Sequence, residues 1–399
     1  MKTVNQYLPT RLIFGPGTIE MAGRYAAEIG QYCLIVTGQS SAKRHGHLKK
    51  LTDSLEEYGV NWQVYPGIMP NPIYQKVDEA AEIIREGDDK KIDFIIGLGG
   101  GSVMDSAKGI AAMARMKGSI WDYIFTGKGK VPKITDALPV MEIPTLAATG
   151  SEANKYGVLT NPETKEKCSF NSEVLYPKVS IIDPELTLTV PPGPTADGGV
   201  DILSHLLESY LTTNEPDTVI SDGITESLVR DVIHYLPEAL EDGSNMVARS
   251  ALSWASTLAL SGIPSAAHGG LFILHKIEHA LSGYYDITHG TGLAAIFLPY
   301  LNTLLRFNSS RVARLARNVF SVSTSHIEAE AKEGIKAFRE FLHSVGREVR
   351  LSDLGITPSE ADIEKMAEMA VRIGGNERGY LLWPDFHVGV VKEIIRKAR

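Results

Sequence analysis

The spacing of apolar residues changes near residue 190, and this change constrains the fold more than any other feature of the sequence. Before it, short β-branched segments such as CLIVT (residues 33–37) alternate with segments of helical periodicity. From Val200 to Arg372, segments of helical periodicity follow one another, and two of them, 292–306 and 311–318, are predicted to be separated by a break. We therefore predict an α/β domain with a parallel sheet at residues 1–190 and an all-helical domain at residues 191–399.

The segment LTVPPGPTADGG, residues 188–199, is rich in Pro and Gly and is predicted to connect the two domains. A cleft between an α/β domain and a helical domain is a common place for a ligand to bind. Functional residues are therefore expected on both sides of this connection.

Composition excludes several classes of protein. Lys and Arg total 40 against 48 Asp and Glu, and a net charge of -8 does not suit a nucleic-acid-binding protein. The two cysteines, Cys33 and Cys168, indicate no disulfide framework. Residues 1–15 contain no apolar core of a secretory signal, and the apolar segment 292–305 is too short to span a bilayer. We expect a cytoplasmic protein with no nucleic-acid or membrane partner.

A glycine loop follows the predicted strand DFIIGL and opens a predicted helix. It consists of Gly99, Gly100, Gly101 and Ser102. Glycines let a phosphate approach the backbone, and the helix N-terminus supplies N–H donors. The loop is neither a GxGxxG nor a Walker motif, and a plain strand-to-helix turn is the alternative interpretation.

A second loop follows the strand CLIVT. In dinucleotide-binding folds an acidic residue near this place binds the adenosine ribose, whereas small or basic residues admit a 2′-phosphate. Gly38, Ser40, Ser41 and Lys43 lie here without an acid, which suits NADP better than NAD. A solvated loop is the alternative.

Metal-ligating residue types are concentrated in the second half. Asp201 and His205 are four residues apart on one predicted helix face, so both can bind one ion. Four of the 11 histidines fall within one short segment: His268, His275, His279 and His289. One carboxylate with three imidazoles suits Fe(II) or Zn(II). Spacing leaves open which three histidines bind.

Together these residues resemble the iron-containing alcohol dehydrogenase family, from about residue 5 to residue 395. The similarity lies in the segments PTRLIFGPG, IIGLGGGSVMDSAKGIA, IPTLAATGSEAN, DPELT, DILSHLLESY and HKIEHALSGYYDITHGTGLA. The HKIEHALS segment is most similar to the butanol-dehydrogenase branch. The resemblance implies a Rossmann-like dinucleotide-binding domain followed by a helical metal-binding domain, which is a dehydroquinate synthase-like architecture.

The resemblance also assigns roles in the helical half. It implies that Asp201, His205, His275 and His289 bind one divalent metal, Fe(II) or Zn(II). It places His279 near the nicotinamide and the substrate as the candidate catalytic residue. His268 matches no family position and is interpreted as an ordinary core or surface histidine.

For the dinucleotide, the resemblance implies that the GGGS loop holds the pyrophosphate. Further cofactor contacts are implied for Asn71, Asp105, Thr145, Thr149 and Lys167. Two departures occur in the threonine loop, where Leu146 replaces a Thr and Ala148 replaces a Gly. Gly38 replaces the Asp of strictly NAD-using relatives, which favours NADP, with NAD as the alternative.

The implied activity is reversible hydride transfer between a nicotinamide and a small primary alcohol or aldehyde, in a homo-oligomer such as a dimer. A glycerol- or propanediol-type dehydrogenase and a dehydroquinate synthase share this build. A different class, a metal hydrolase with Glu278 as general base and a structural glycine loop, also fits the residues. A non-catalytic metal-binding protein is the remaining alternative.

Overall fold

The computed structural model describes residues 3–87, 91–216, 218–376 and 378–399. Met1 and Lys2 of the predicted N-terminal segment lie outside these ranges. In the described chain, six parallel strands form one sheet: β1 (Arg11–Phe14), β2 (Tyr32–Gly38), β3 (Asn61–Ile68), β4 (Phe94–Gly99), β5 (Val140–Pro144) and β8 (Val179–Ile182). Their order across the sheet is β1-β8-β5-β4-β2-β3.

Helices pack on both faces of this sheet, as parallel strands require. They are α1 (Ala22–Ala27), α2 (Ser41–Arg44), α3 (His47–Glu57), α4 (Tyr74–Glu86) and α5 (Gly101–Met113). Two apolar clusters, one on each face, bury alternate residues of the strands: Leu34 and Ile95 face one, whereas Ile35 and Ile96 face the other. The predicted α/β fold with a parallel sheet is confirmed.

The alternation of strands and helices did not predict an antiparallel hairpin. Its strands are β6 (Tyr156–Asn161) and β7 (Glu166–Asn171), which pair from Tyr156 opposite Asn171 to Asn161 opposite Glu166. The strands are short and polar residues interrupt them, so their periodicity is weak. The hairpin carries Lys167 and packs against the first long helix of the histidine-rich segment, α9 (Ile273–Tyr285).

From Pro192 onward the described regular elements are helices. They are α6 (Pro192–Thr212), α7 (Val219–Glu241), α8 (Met246–Ala259), α9, α10 (His289–Phe320), α11 (Ile327–Ser344), α12 (Glu360–Gly374) and α13 (Val388–Lys397). They enclose one large apolar core that includes Leu206, Phe297 and Phe338. The predicted helical C-terminal domain is confirmed.

Two predictions about this half were wrong in detail. The segment LTVPPGPTADGG is not simply a connection, because α6 already begins at Pro192. Proline is compatible with the first helical turn, where its missing N–H has no partner to lose. The predicted break between residues 306 and 311 is only a kink at Asn308, which has φ of -152° inside α10. Among the described residues, no helix is both long enough and apolar enough to traverse a bilayer.

Candidate active site between the two domains

The loops predicted to bind a dinucleotide lie along one edge of the sheet. Strands β5, β4, β2 and β3 are neighbours, and the loops after their carboxyl ends begin at Thr145, Gly100, Gln39 and Met69. Thr145 N donates to Gly99 O at 3.0 Å and so joins the first two loops. In open α/β sheets this edge is the place where ligands bind.

The glycine loop is shaped by close packing at its two ends. A Cβ atom at Gly99 would lie 2.6 Å from Val103 Cγ2, and one at Gly101 would lie 2.4 Å from Thr149 Cγ2. Between them, Gly100 is the N-cap of α5, and a Cβ there would meet only Leu146, at 3.8 Å. The loop therefore offers an open backbone at the start of a helix, as a phosphate site needs.

The loop after β2 is small and basic. Ser40 Oγ accepts from Arg44 Nη2 at 2.7 Å, and Ser41 begins the short helix α2. A Cβ atom at Gly38 would have no neighbour closer than 3.6 Å, so the backbone there is compatible with a side chain. No acidic side chain occupies residues 37–46, in keeping with the predicted preference for a 2′-phosphate.

Asp105 is engaged by the protein itself. Its Oδ1 accepts from Ser151 Oγ at 2.7 Å, and its Oδ2 accepts from Val158 N at 2.9 Å. The buried Lys108 donates to the same hydroxyl at 2.8 Å. In the structure Asp105 therefore ties α5 to β6 and to the loop of Ser151, whereas the resemblance placed it near the cofactor.

On the helical side, the four residues predicted to bind metal converge. Asp201 Oδ1 lies 3.7 Å from His205 Nε2, 3.5 Å from His275 Nε2 and 3.6 Å from His289 Nε2. Asp201 and His205 come from α6, His275 from α9, and His289 is the first residue of α10. Three helices thus direct four ligand atoms at one small volume.

The chemistry of these atoms fits a divalent ion. Asp201 Oδ1 and His275 Nε2 are buried without a hydrogen-bond partner. A buried polar atom without a hydrogen-bond partner destabilises the folded state unless another group interacts with it. One carboxylate oxygen and three imidazole nitrogens form a donor set suited to Fe(II) or Zn(II) and not to the all-oxygen shells of Mg²⁺ or Ca²⁺.

Two glutamates orient the imidazoles. Glu208 Oε2 bonds to Nδ1 of His275, and Glu278 Oε2 bonds to Nδ1 of His289. Both glutamates are fully buried. Holding Nδ1 in this way leaves Nε2 of each ring as the free lone pair, which is the usual arrangement around metal-binding histidines.

The pKa values reflect this concentration of charge. Burial would raise the pKa of Asp201, but the imidazoles of His205, His289 and His275 lower it below its ordinary value. Burial lowers the pKa of His205 to about 3. Burial also favours the neutral form of His275, but the carboxylates of Glu208 and Asp201 outweigh it and raise its pKa to about 10. The carboxylates of Glu208 and Asp201 therefore favour a positive charge at His275.

His279 and Lys167 lie beside the ligands, where the domains meet. The ring of His279 is 5.6 Å from that of His289 and 6.0 Å from that of His275. Burial, reinforced by the charge of Lys167, places the pKa of His279 well below its ordinary value, so the ring is neutral. Lys167 Nζ lies 3.0 Å from Asn71 Oδ1.

Asn71 bridges the two domains. It has a positive φ of 50°, and its Nδ2 donates to Asp286 Oδ1 and to Ile287 O, each at 2.9 Å. The sequence resemblance implied that Asn71 contacts the cofactor, whereas in the structure its side chain contacts the end of α9. His268 belongs to the core, bonded to Asp222 and Ser209.

Family models match almost the whole chain. The iron-containing alcohol dehydrogenase model matches residues 9–184, and the C-terminal model of the Fe-containing alcohol dehydrogenase family matches residues 195–397. The chain belongs to the iron-containing alcohol dehydrogenase family. Membership makes it an alcohol dehydrogenase and overturns the interpretation as a metal hydrolase. In the structure the two oxygens of Glu278 are engaged by His289 and Ser282.

Individual enzymes also resemble the chain over its full length. The NADH-dependent butanol dehydrogenase A of Clostridium acetobutylicum is 37% identical, with 100% of both chains covered. The NADPH-dependent aldehyde reductase YqhD of Escherichia coli is 31% identical, again with 100% of both covered. The solved NADH-dependent butanol dehydrogenase A of Thermotoga maritima is 37% identical, covers 100% of this chain and 99% of its own, and gives a TM-score of 0.89. The similarity to butanol dehydrogenases is confirmed.

Sequence reasoning missed Glu208, the partner of His275. A signal was present, because Asp201, His205 and Glu208 follow one another at helical spacing on one face of α6. No local pattern could have paired Lys167 with Glu278, because the two residues lie far apart in the sequence and meet only across the domain boundary.

Proposed function

We propose that this chain is a metal-dependent, NAD(P)-linked alcohol dehydrogenase and aldehyde reductase that acts on small primary alcohols or aldehydes. One divalent ion, Fe(II) or Zn(II), is held by Asp201, His205, His275 and His289. The observation that carries the proposal is the position of Asp201 Oδ1, 3.5–3.7 Å from Nε2 of three imidazoles and without a hydrogen-bond partner. An unpaired carboxylate oxygen among imidazole lone pairs is the environment that a divalent cation satisfies.

In the proposed reaction, the ion and the nicotinamide supply the chemistry, and the protein residues orient the groups and move a proton. A divalent ion supplies Lewis acidity toward the substrate oxygen, and the nicotinamide donates or accepts the hydride. Glu208 and Glu278 keep His275 and His289 in the tautomer that leaves Nε2 free. His279, neutral and adjacent to both rings, is the candidate to pass a proton to or from the substrate oxygen.

The cofactor loops support a dinucleotide lying across β5, β4 and β2. Its pyrophosphate would meet the open backbone of Gly100 with Ser102 nearby, and Thr145 and Thr149 would border it from the next loop. The absence of an acid from residues 37–46 favours NADP, with Ser40, Ser41 and Arg44 near the 2′-phosphate. Two of the three named relatives are NADH-dependent and one is NADPH-dependent, so a direct measurement of turnover with each coenzyme decides between them.

The proposed substrate class rests on what surrounds the ligand rings. Phe272 lies against two of them, with its ring 6.3 Å from that of His205 and 5.8 Å from that of His275. Such a wall suits a short aliphatic chain better than a polyanionic substrate. The butanol dehydrogenase and aldehyde reductase relatives point to the same class. We also propose that the protein is cytoplasmic and assembles as a homodimer or larger homo-oligomer.

The deciding experiment combines metal analysis with a coenzyme-linked screen. The protein is purified anaerobically, its iron and zinc are quantified, and oxidation of NADPH and NADH is followed with short aldehydes; reduction of NADP and NAD is followed with glycerol and 1,3-propanediol as comparison substrates. We expect about one divalent ion per chain, aldehyde-dependent oxidation of NADPH, and loss of turnover on chelation that returns with added Fe(II) or Zn(II). Full turnover after exhaustive chelation would disprove the metal-dependent reaction.

The role of His279 is tested separately. His279→Phe should reduce kcat and change its pH profile, since the ring that passes the proton is gone. Its metal content should stay the same, because His279 is not one of the four ligands. Wild-type turnover with an unchanged pH profile would remove His279 from the mechanism.

A further inference from the structure

Glu278 lies at the junction of three polar contacts. Its Oε2 bonds to Nδ1 of His289, and its Oε1 accepts from Ser282 Oγ. The same Oε2 lies 3.7 Å from Nζ of Lys167, which belongs to strand β7 of the α/β domain. Glu278 is on α9 of the helical domain, so this ion pair crosses the boundary between the domains.

A second route closes the contacts into a ring. Lys167 also donates to Asn71 Oδ1, and Asn71 donates to Ile287 O. Ser282 Oγ also lies 3.1 Å from Ile287 O, so its single O–H is shared between Ile287 O and Glu278 Oε1. The carboxylate of Glu278 is therefore held from its own helix by Ser282 and from the opposite domain by Lys167.

The ion pair is buried on both sides. The side chain of Lys167 is 6% exposed and that of Glu278 is 0% exposed. When one partner of such a pair is removed, the other is left as an uncompensated charge away from water. The orientation of Glu278 thus depends on a residue that is not in its own domain.

His289 is the ligand that most needs such support. Its side chain is 24% exposed, against 9% for His275 and 6% for His205. It is also the first residue of α10, whereas Asp201 and His205 lie in the middle of α6 and His275 is the third residue of α9. A ligand at a helix start has fewer packing contacts to fix its ring, so the bond from its Nδ1 to Glu278 matters more.

We propose that Glu278 is a positioning residue for His289 and that Lys167 holds it in place from the α/β domain. Retention of the ion by the helical domain then depends on contact with the α/β domain, through the path Lys167–Glu278–His289. The inference rests on the proposed four-ligand site. It adds that one of the four ligands is positioned across the domain boundary, whereas His275 is positioned by Glu208 within the helical domain.

The test is a double-mutant cycle on metal affinity, measured on the full chain without dinucleotide or substrate. Apo-protein competes with a chromophoric chelator for Zn²⁺ in wild-type, Lys167→Met, Glu278→Gln and the double variant. Circular dichroism and thermal unfolding establish that each variant is folded. Because no turnover is measured, failure of the dehydrogenase proposal would leave this readout intact.

We expect Lys167→Met to lower Zn²⁺ affinity about tenfold in the wild-type background, the size typical of a disturbed outer-shell contact. In the Glu278→Gln background the same change should have no further effect, since an amide has no charge for Lys167 to hold. Direct repulsion between Lys167 and the ion would act differently. Its removal would raise affinity, and would do so whether residue 278 is Glu or Gln.

Glu208 provides the matched control. Glu208→Gln disturbs His275 in the same way but leaves the path through Lys167 intact, so the effect of Lys167→Met should persist in that background. The proposal would be overturned if Lys167→Met raised the affinity for Zn²⁺. It would also be overturned if Lys167→Met lowered that affinity by the same factor in the wild-type and Glu278→Gln backgrounds. Partial retention of affinity in Glu278→Gln compared with Glu278→Ala would support positioning of His289, whereas equal losses in the two variants would count against it.

Discussion

Gly101 packs so closely against Thr149 that a Cβ atom at residue 101 would lie 2.4 Å from Thr149 Cγ2. The contact locks the glycine loop to the threonine loop and fixes the edge of the sheet where the dinucleotide is proposed to bind. Gly100 beside it has no such constraint, because its nearest neighbour would be Leu146 at 3.8 Å. Adjacent glycines therefore have separable roles, one in packing and one in exposing the backbone.

This difference gives the first prediction. Gly100→Ala should fold with wild-type stability, because the φ of -80° at this residue is acceptable to alanine. It should nevertheless weaken NADPH binding at least about tenfold, since a methyl group would stand where a phosphate approaches the backbone. Fluorescence titration with NADPH, alongside thermal unfolding, measures both quantities. Gly101→Ala should instead lower the unfolding temperature; undiminished NADPH affinity in Gly100→Ala would exclude the loop as the phosphate site.

The second prediction concerns the ligands themselves. Asp201→Ala or His275→Ala should abolish stoichiometric metal binding and reduce kcat/KM more than about 100-fold, because outer-shell partners alone are commonly worth about 10- to 100-fold. Elemental analysis and steady-state kinetics on the same preparation check this. His268→Gln is the control, because His268 is buried in the core among Asp222 and Ser209 and should leave the metal content unchanged. Normal metal content in Asp201→Ala would refute the assigned site.

The third prediction concerns coenzyme choice. Gly38→Asp should lower the ratio of kcat/KM for NADP to that for NAD by about tenfold or more, because a carboxylate would repel the 2′-phosphate. The backbone tolerates the change, since a Cβ atom there has no neighbour closer than 3.6 Å. Gly38→Ala adds bulk without charge and should leave the ratio close to that of the wild type. If both variants shift the ratio equally, charge is not the cause.

The fourth prediction concerns pH and stability. Burial lowers the pKa of His47 to about 4 from its ordinary value of 6.5. As the pH falls, His47 is therefore protonated in the unfolded chain before it is protonated in the folded chain. The contribution of His47 to the free energy of unfolding is therefore fully present above pH 6.5. It is lost as the pH falls from 6.5 toward 4, by about 1.4 kcal/mol per pH unit. Between about pH 7.5 and about pH 5.5, the free energy of unfolding measured with urea should fall by about 1 kcal/mol less in His47→Gln than in the wild type. An identical pH dependence in the two proteins would contradict this assignment.

Much of the architecture follows from local patterns, and the deviations have physical causes. Strands β2 and β4 are continuous apolar segments because both faces of the sheet are covered, so residues 33–37 and 93–98 are easy to identify. The start of α6 was missed because Pro and Gly normally end helices, yet the first turn tolerates both. The β6–β7 hairpin was missed because its strands are short and partly polar.

The candidate site divides in the same way. Pairs four residues apart, such as Asp201 with His205, indicate a shared ligand from helical spacing alone. The family resemblance, and not the spacing, indicated that His275 and His289 are the further ligands. The contacts of Asn71 with Ile287 and of Lys167 with Glu278 depend on how two domains meet, which no periodicity within one segment records.

All four proposed metal ligands belong to the helical domain, and the glycine and threonine loops belong to the α/β domain. On the proposed assignment, the coenzyme would leave and be replaced in every catalytic cycle while the ion stays bound to the other domain. Metal binding and the repeated binding of coenzyme are thus assigned to different domains of a single polypeptide.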